Sequence, residues 1–244
     1  KSAVPAPPKT KSAFREYFEA IGLALTLALL LRFFVVEAFK IPSGSMIETL
    51  NIGDFIFVNK LSYRTEIPYS ILGLRIPYGG TTLHTWNEPE RGEVMVFRFP
   101  ADPTVDYIKR IIGVAGDTIE LKQNELYVNG TKYPRQFVRS TSYPDKSCRD
   151  ERARVYLEDS GSKQYEVLLR DGPDAFENFG PVTVKAGHIF VMGDNRDNSS
   201  DSRAWGQAPV TNIKGRALFV WLSIDSCGGL MDRIRWSRFG KAVR

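Results

Sequence analysis

The run Ala20–Leu31 holds twelve residues without a charge, and no other feature of the chain limits its folding as much. Phe33–Val36 extends it past Arg32, and Glu37 ends it. Counted through Phe39 the stretch is 20 residues long, close to what ~30 Å of hydrocarbon requires. Arg32 lies in the second half, from where its side chain can snorkel to the interface. Lys1, Lys9, Lys11 and Arg15 precede the stretch, against Glu16 and Glu19. The positive-inside rule then puts the N-terminus in the cytoplasm and the remaining chain outside. A cleavable signal peptide is the alternative, since a twelve-residue apolar core suits one and Val36-Glu37-Ala38 has the small-x-small form of a cleavage site. Residues 1–16 read as a disordered basic lead-in, rich in Pro and Ala over Lys1–Thr10, and 17–39 as the transmembrane helix. The chain opens on Lys1 rather than Met, so an upstream portion is expected to have been removed.

Beyond this segment the signals are β. FIFVNKL, EVMVFRF, YIKRIIGV, TIELK, ELYVNG, KQYEVLL, HIFVMG and ALFVWLSI are short runs rich in Val, Ile, Phe and Tyr. They are bounded by turn signals at Gly53-Asp54, Arg91-Gly92-Glu93, Gly116-Asp117 and Gly193-Asp194. The pattern predicts a mainly β chain: an antiparallel β-sheet body, as a partly closed barrel or packed sheets, with an inserted β subdomain. The body is assigned to 40–116 and 187–225, the looser insert to 117–186, and a basic membrane-proximal tail to 226–244. Ile67–Trp86 reads as a loop excursion carrying Leu72, Leu74, Ile76 and Tyr78. In the tail, basic residues alternate with Ile234, Trp236 and Phe239, which suits a membrane interface or a solvated tail equally.

Composition narrows the chemistry. A net charge of +5 and a pI near 9.1 are mildly basic, without a Lys/Arg stripe, so nucleic acid is not expected as a partner. Two cysteines, Cys148 and Cys227, are too few for a zinc site of Cys pairs; they form one disulfide or remain two thiols. His84 and His188 stand alone, without metal-ligand spacing. No metal or cofactor is expected.

Three stretches carry candidate chemistry. In Ile41–Leu50, IPSGSMIETL, Pro42 biases Ile41 to extended geometry and Gly44 frees the backbone, leaving Ser43 and Ser45 as turn residues or a nucleophile. In Tyr107–Gly113, strand alternation puts Lys109 on one face with Tyr107 and Ile111, where lost solvation lowers the amine pKa towards that of a general base; a lysine snorkelling to water is the plainer alternative. Gly193–Gly206, GDNRDNSSDSRAWG, alternates Asp and Arg densely enough to form a self-satisfied network beside a site.

Together these stretches resemble bacterial type I signal peptidases, the Ser–Lys leader peptidases. Ser43–Leu50 matches the family's Ser-Gly-Ser-Met-x-Pro-Thr-Leu except at Glu48; Gly53-Asp54 and Val58-Asn59-Lys60 match the family's next positions. Arg91–Phe97, Tyr107–Arg110, Gly113–Asp117 and the whole of Gly193–Gly206 match further family boxes, with Val114-Ala115 in place of the usual Leu-Pro. The resemblance runs from about Leu31 to Ser223 and is weak in the insert.

It implies an inner-membrane endopeptidase that removes signal peptides from exported preproteins after small residues, with its catalytic domain on the periplasmic side and its transmembrane helix uncleaved. Ser45 would be the nucleophile, Lys109 the base, Ser43 an oxyanion donor with the Ser45 N–H, and Ser199 a hydrogen-bond partner that orients Lys109. Asp201–Arg203 and Asp194–Arg110 would be supporting pairs. Phe39, Ile41, Pro42, Met46, Leu50, Ile56, Val96, Tyr107 and Ile108 would shape shallow pockets. Glu48 would loosen the turn and add a carboxylate near the base. Signal peptides and membrane lipid are the expected partners, and a monomer the expected state. A processing peptidase of pilus or conjugation type, a self-cleaving Ser–Lys repressor, or a non-catalytic signal-peptide-binding β domain are the rival readings.

Overall fold

The computed structural model describes residues 13–66, 70–71, 74–75, 80–145, 147–170, 177–229 and 233–244. The lead-in up to residue 12, and Leu72, Ile76 and Tyr78 of the excursion, lie outside the described residues.

Leu and Ala dominate Ala13–Leu30, and both favour helix. The segment is an α-helix that passes into a π-helical turn over Leu31–Val35. The helix therefore starts inside the stretch read as lead-in. Phe14–Val35 has a mean hydropathy of 2.0 and is exposed from Phe14 to Arg32, with Phe33 and Val35 half-buried at its end, as expected of a helix whose apolar surface faces lipid.

It also ends earlier than the sequence suggests, at Val35 instead of Phe39. Val36–Lys40 is a strand, in register with Asp54–Asn59 from Val36↔Asn59 to Lys40↔Phe55. Within hydrocarbon a backbone satisfies itself only as helix or closed barrel; beyond it, a free sheet edge competes, and Val36 and Phe39 favour the ladder. The possible cleavage site Val36-Glu37-Ala38 is built into the sheet.

Seven antiparallel strands make the main sheet, in the order Val36–Lys40, Asp54–Asn59, Ile213–Ser223, Val94–Phe99, Asp102–Gly113, His188–Met192 and Ala208–Pro209. Alternation decides what each face carries. In Asp54–Asn59, Ile56 and Val58 point into the core while Phe55 and Phe57 pack on Trp221 outside. One core cluster joins Ile41, Met46, Leu50, Ile56, Val96 and Ile108; another joins Met95, Phe97, Ile111, Ile189 and Val191. Offsets in the pairing of Ile213–Ser223 with Asp54–Asn59 mark bulges, which bend a sheet.

Residues 117–186 hold two further sheets. One orders Thr131–Lys132, Glu125–Val128, Thr118–Lys122 and Phe179–Thr183; the other orders Arg135–Pro144, Asp150–Asp159 and Gln164–Arg170. The second is not loose: Glu158 is fully buried and bonded to Arg196 of the main body as well as to Arg135. The excursion read as a loop has paired ends, Arg64–Glu66 with Thr82–Thr85 and Ser70–Ile71 with Leu74–Arg75.

The tail differs from both expectations. Arg238 turns inward onto the fully buried Asp54, with Nε 2.9 Å from Oδ1 and Nη2 2.5 Å from Oδ2, and Arg235 Nε donates to Ser223 Oγ. A buried carboxylate outcompetes water for these guanidiniums, because an unpaired buried charge is strongly destabilising. Trp236 and Phe239 are left outside, 73% and 67% exposed.

Cys148 and Cys227 are joined as a disulfide, with Cα atoms 5.4 Å apart and a sequence separation of 79, so the insert is stitched to the tail. Closing so long a loop restricts the unfolded chain. Replacing both cysteines by Ala is expected to lower the unfolding free energy by about 2–4 kcal/mol, read as an earlier denaturant midpoint in detergent solution. A midpoint equal to that of the oxidised parent would show that the link contributes nothing.

Candidate active site

Ile41 still belongs to the ladder, its N–H donating to Asp54 O at 2.8 Å and its carbonyl accepting from Gly53 N–H at 2.9 Å. Pro42 has no N–H to continue with, and the chain turns through Ser43-Gly44-Ser45. Met46 and Leu50, both fully buried, draw the next turn down onto the core, closed by the Leu50 N–H to Met46 O bond at 2.7 Å. Asn195 fixes the turn from the other side. Its N–H donates to Ser45 O at 3.1 Å, and its Nδ2 donates to Gly44 O at 3.1 Å and Tyr143 Oη at 3.0 Å. Gly193 allows that approach: a Cβ there would lie 2.3 Å from Ser199 Oγ and 2.4 Å from Ser45 O.

Lys109 arrives on the strand Asp102–Gly113, opposite the fully buried Met95. Its side chain does not snorkel to water; Lys109 is 4% exposed. Nζ lies 2.7 Å from Ser45 Oγ, 3.1 Å from Ile108 O and 5.3 Å from the Tyr107 ring centre. Burial pushes the amine down to about 8, against the pull of Asp201 and Asp194 and with a small push from Arg203. A buried amine that is partly neutral near pH 7, in contact with a hydroxyl, can take that hydroxyl's proton.

Ser43 Oγ stands 3.5 Å from Ser45 Oγ. Ser199 departs from expectation: its hydroxyl is buried over Gly193 and beside the Asp201 carboxylate, and the Lys109 amine spends its hydrogen bonds on Ser45 and Ile108. The supporting pairs form as read. Arg110 reaches Asp194 through two bonds of 2.7 Å, and Arg203 reaches Asp201 through two of 2.8 Å. Burial pushes the Asp201 carboxyl up, but Arg203 and the Gly193 N–H outweigh it and hold it below its ordinary value.

Of the pocket residues, Ile41, Met46, Leu50, Ile56, Val96 and Ile108 pack as one cluster with Phe39 against it, while Pro42 is exposed beside the turn. Tyr107 is not with them. Alternation turns it to the other face, stacked on Phe99 at 4.5 Å and near Trp205. Glu48 is likewise turned from the base: its carboxylate pairs with Arg139 at 3.0 Å, and Arg139 also holds Glu166. Opposite charge on the neighbouring sheet decides its direction. His84 packs edge-on against Trp86 on an exposed ribbon, and His188 bonds to Ala186 O. Among the described residues no cluster could hold a metal ion.

Known proteins share this arrangement of sequence. Residues 14–222 match the sequence model of the family described as signal peptidase, peptidase S26. The chain belongs to that family. A signal peptidase I from Pseudomonas aeruginosa is 39% identical over 85% of this chain and 72% of its own length, as is one from Pseudomonas fluorescens over the same shares. A signal peptidase I from Aquifex aeolicus is 33% identical, over 86% of this chain and 84% of its own.

Several residues around the candidate site take no role from the sequence alone, Thr49 among them although it lies in the matched Ser43–Leu50 stretch. Thr49 Oγ1 donates to Asp194 at 2.5 Å and accepts from Arg110 at 3.2 Å, tying the serine turn to the buried pair. Tyr165 lays its ring on the Arg110 guanidinium at 4.0 Å and donates its hydroxyl to Glu158. Burial pushes the Glu158 carboxyl up, but Arg196 and Arg135 outweigh it and hold it down to about 2. Its contribution to stability is whole above the unfolded-chain value of about 4.5 and is lost as pH falls from there towards about 2. Glu158→Gln is expected to lower stability at pH 7 by about 3–5 kcal/mol and to remove this part of the acid dependence. Denaturant midpoints against pH check it; parallel profiles for parent and variant would refute the assignment.

Proposed function

We propose that Ser45 is the nucleophile and Lys109 the general base with which this membrane-associated serine endopeptidase cleaves signal peptides from exported preproteins. The observation that carries the residue assignment is the 2.7 Å contact between Ser45 Oγ and an amine that is 4% exposed. Neutral Lys109 accepts the Ser45 proton as Oγ attacks the scissile carbonyl. The Ser45 N–H and the Ser43 hydroxyl receive the oxyanion, a donor of this kind contributing roughly 3 kcal/mol. The Lys109 ammonium then returns its proton to the leaving amine. A water molecule, deprotonated by the same lysine, hydrolyses the acyl-enzyme.

The apolar cluster of Ile41 and Ile108, with Phe39 packed against it, supports a preference for small apolar substrate side chains beside the scissile bond. A body on the outer, periplasmic side of the inner membrane agrees with the basic residues before the helix and with a disulfide, which persists in oxidising compartments. The exposed Trp236 and Phe239 suit contact with the lipid headgroup region.

With its amine pushed down to about 8, Lys109 is neutral in roughly one molecule in five at pH 7.4, against about one in a thousand for an ordinary lysine. Cleavage of a signal-peptide substrate should rise with pH through about 8. Lys109→Arg should fold normally and be as inactive as Ser45→Ala, since a guanidinium does not deprotonate in this range. Near-normal turnover by Lys109→Arg, or an indispensable His84 or His188, would overturn the Ser–Lys assignment. Ser43→Ala should reduce kcat by ~10²-fold with little change in KM; a loss carried by KM alone would make Ser43 a binding residue.

A further inference from the structure

Lys60 closes the Val58-Asn59-Lys60 match, yet the proposed chemistry does not use it. Its place in the fold is the junction of helix and sheet. The Lys60 N–H donates to Val35 O at 2.9 Å, and its Nζ donates to Phe33 O at 2.8 Å, inside the π-helical turn Leu31–Val35. The same amine lies 3.6 Å from Glu37, and Glu37 lies 3.9 Å from Lys214, which is held by Asp106 at 2.7 Å and sits over the Phe39 ring at 5.0 Å. Main-chain pairing begins at once, with Val36 opposite Asn59. No flexible linker separates the apolar helix from the sheet. Because Phe14–Arg32 is exposed throughout, this junction alone sets the angle between them among the described residues.

That angle has a consequence for the site. The strand Val36–Lys40 spans five residues, about 17 Å, and leads directly into the turn that carries Ser45. Membrane helices tilt over roughly 0–40°, so a swing of ~20° is open to an unfixed junction; it moves the far end of a ~17 Å lever by ~6 Å at right angles to the strand, and the part of that shift along the bilayer normal changes the height of Ser45. A substrate anchored in the same bilayer by its own apolar segment presents its scissile bond at a height set by the spacing between the two. We infer that Lys60 is a positioning residue that fixes the height of Ser45 above the bilayer, and so selects the spacing between a substrate's apolar segment and the bond that is cut. This rests on the signal-peptide reading above.

The test uses the full chain in phosphatidylethanolamine–phosphatidylglycerol vesicles. It compares a soluble peptide carrying a small-residue site with membrane-inserted preproteins in which the spacer before that site is varied one residue at a time. Lys60→Met keeps the aliphatic stem and loses the donor; a Gly-Ser insertion between Val35 and Val36 uncouples the junction without touching Lys60. Both should leave kcat/KM on the soluble peptide within about twofold of the parent. Both should flatten the spacer preference, raising cleavage at disfavoured spacings relative to the best one by roughly fivefold, the scale of one lost hydrogen bond. Lys60→Arg, which can still donate to Phe33 O, should restore the parent's preference. An unchanged spacer preference in both altered proteins overturns the inference, as does a parallel fall on soluble and inserted substrates, which marks a merely structural lysine. Failure of the parent to cut either substrate overturns the function reading instead, and this inference with it.

Discussion

Lys109 and Arg110 are neighbours in sequence, and the alternation of a strand sends them to opposite faces. The site depends on that separation. Arg110 is wholly enclosed: it bonds Asp194 twice, Gly92 O, Thr49 Oγ1 and Arg244 O, with the Tyr165 ring on its face. Asp194 and Asp201 both pull Lys109 towards the charged form. Each is already matched by an arginine, Arg110 and Arg203, which leaves burial as the largest influence on the lysine amine. A buried carboxylate without its own cation would hold the Lys109 amine protonated.

The insert and the tail join the site through the same kind of contact. Glu158 on the insert links Arg196 and Arg135, and Tyr165, on the adjoining strand of the same sheet, covers Arg110. Arg238 of the tail reaches Asp54 and the Thr49 carbonyl, beneath the turn that carries Ser45. Both segments look peripheral in sequence, and both end in a guanidinium or carboxylate buried at the centre. Breaking such a pair exposes one partner to the full penalty of an unmatched buried charge.

The β runs, the apolar segment, and the three stretches holding Ser45, Lys109 and Asp194–Arg203 are legible in sequence because their signals are local: alternation, turn residues, dense polar spacing. Where two structures share one local signal, sequence does not choose between them. Val36–Lys40 is apolar enough for either helix or strand, and the partner at Asp54–Asn59 decides it. Asp54 reads as a turn residue after Gly53, yet it is a buried strand residue held by an arginine 184 positions away. Contacts at such separation leave no periodicity to detect, and the same holds for Cys148 with Cys227 and for Glu158 with Arg196. Ser199 falls in the expected neighbourhood, but which of two nearby groups its hydroxyl faces is a matter of ångströms, beyond any spacing rule.

Gly193 gives the site an unusual rigidity, and with it a fixed vulnerability. The backbone beneath Ser45 is packed so closely that any side chain at this position meets Ser199 Oγ at 2.3 Å and Ser45 O at 2.4 Å. Asn195 holds the same floor through three hydrogen bonds. A small molecule that seats against Ser45 therefore meets a surface formed before it arrives, and little binding energy is spent on reshaping it. The same closeness means that a side chain added at Gly193, or the loss of Asn195, would shift the backbone of Ser45 itself.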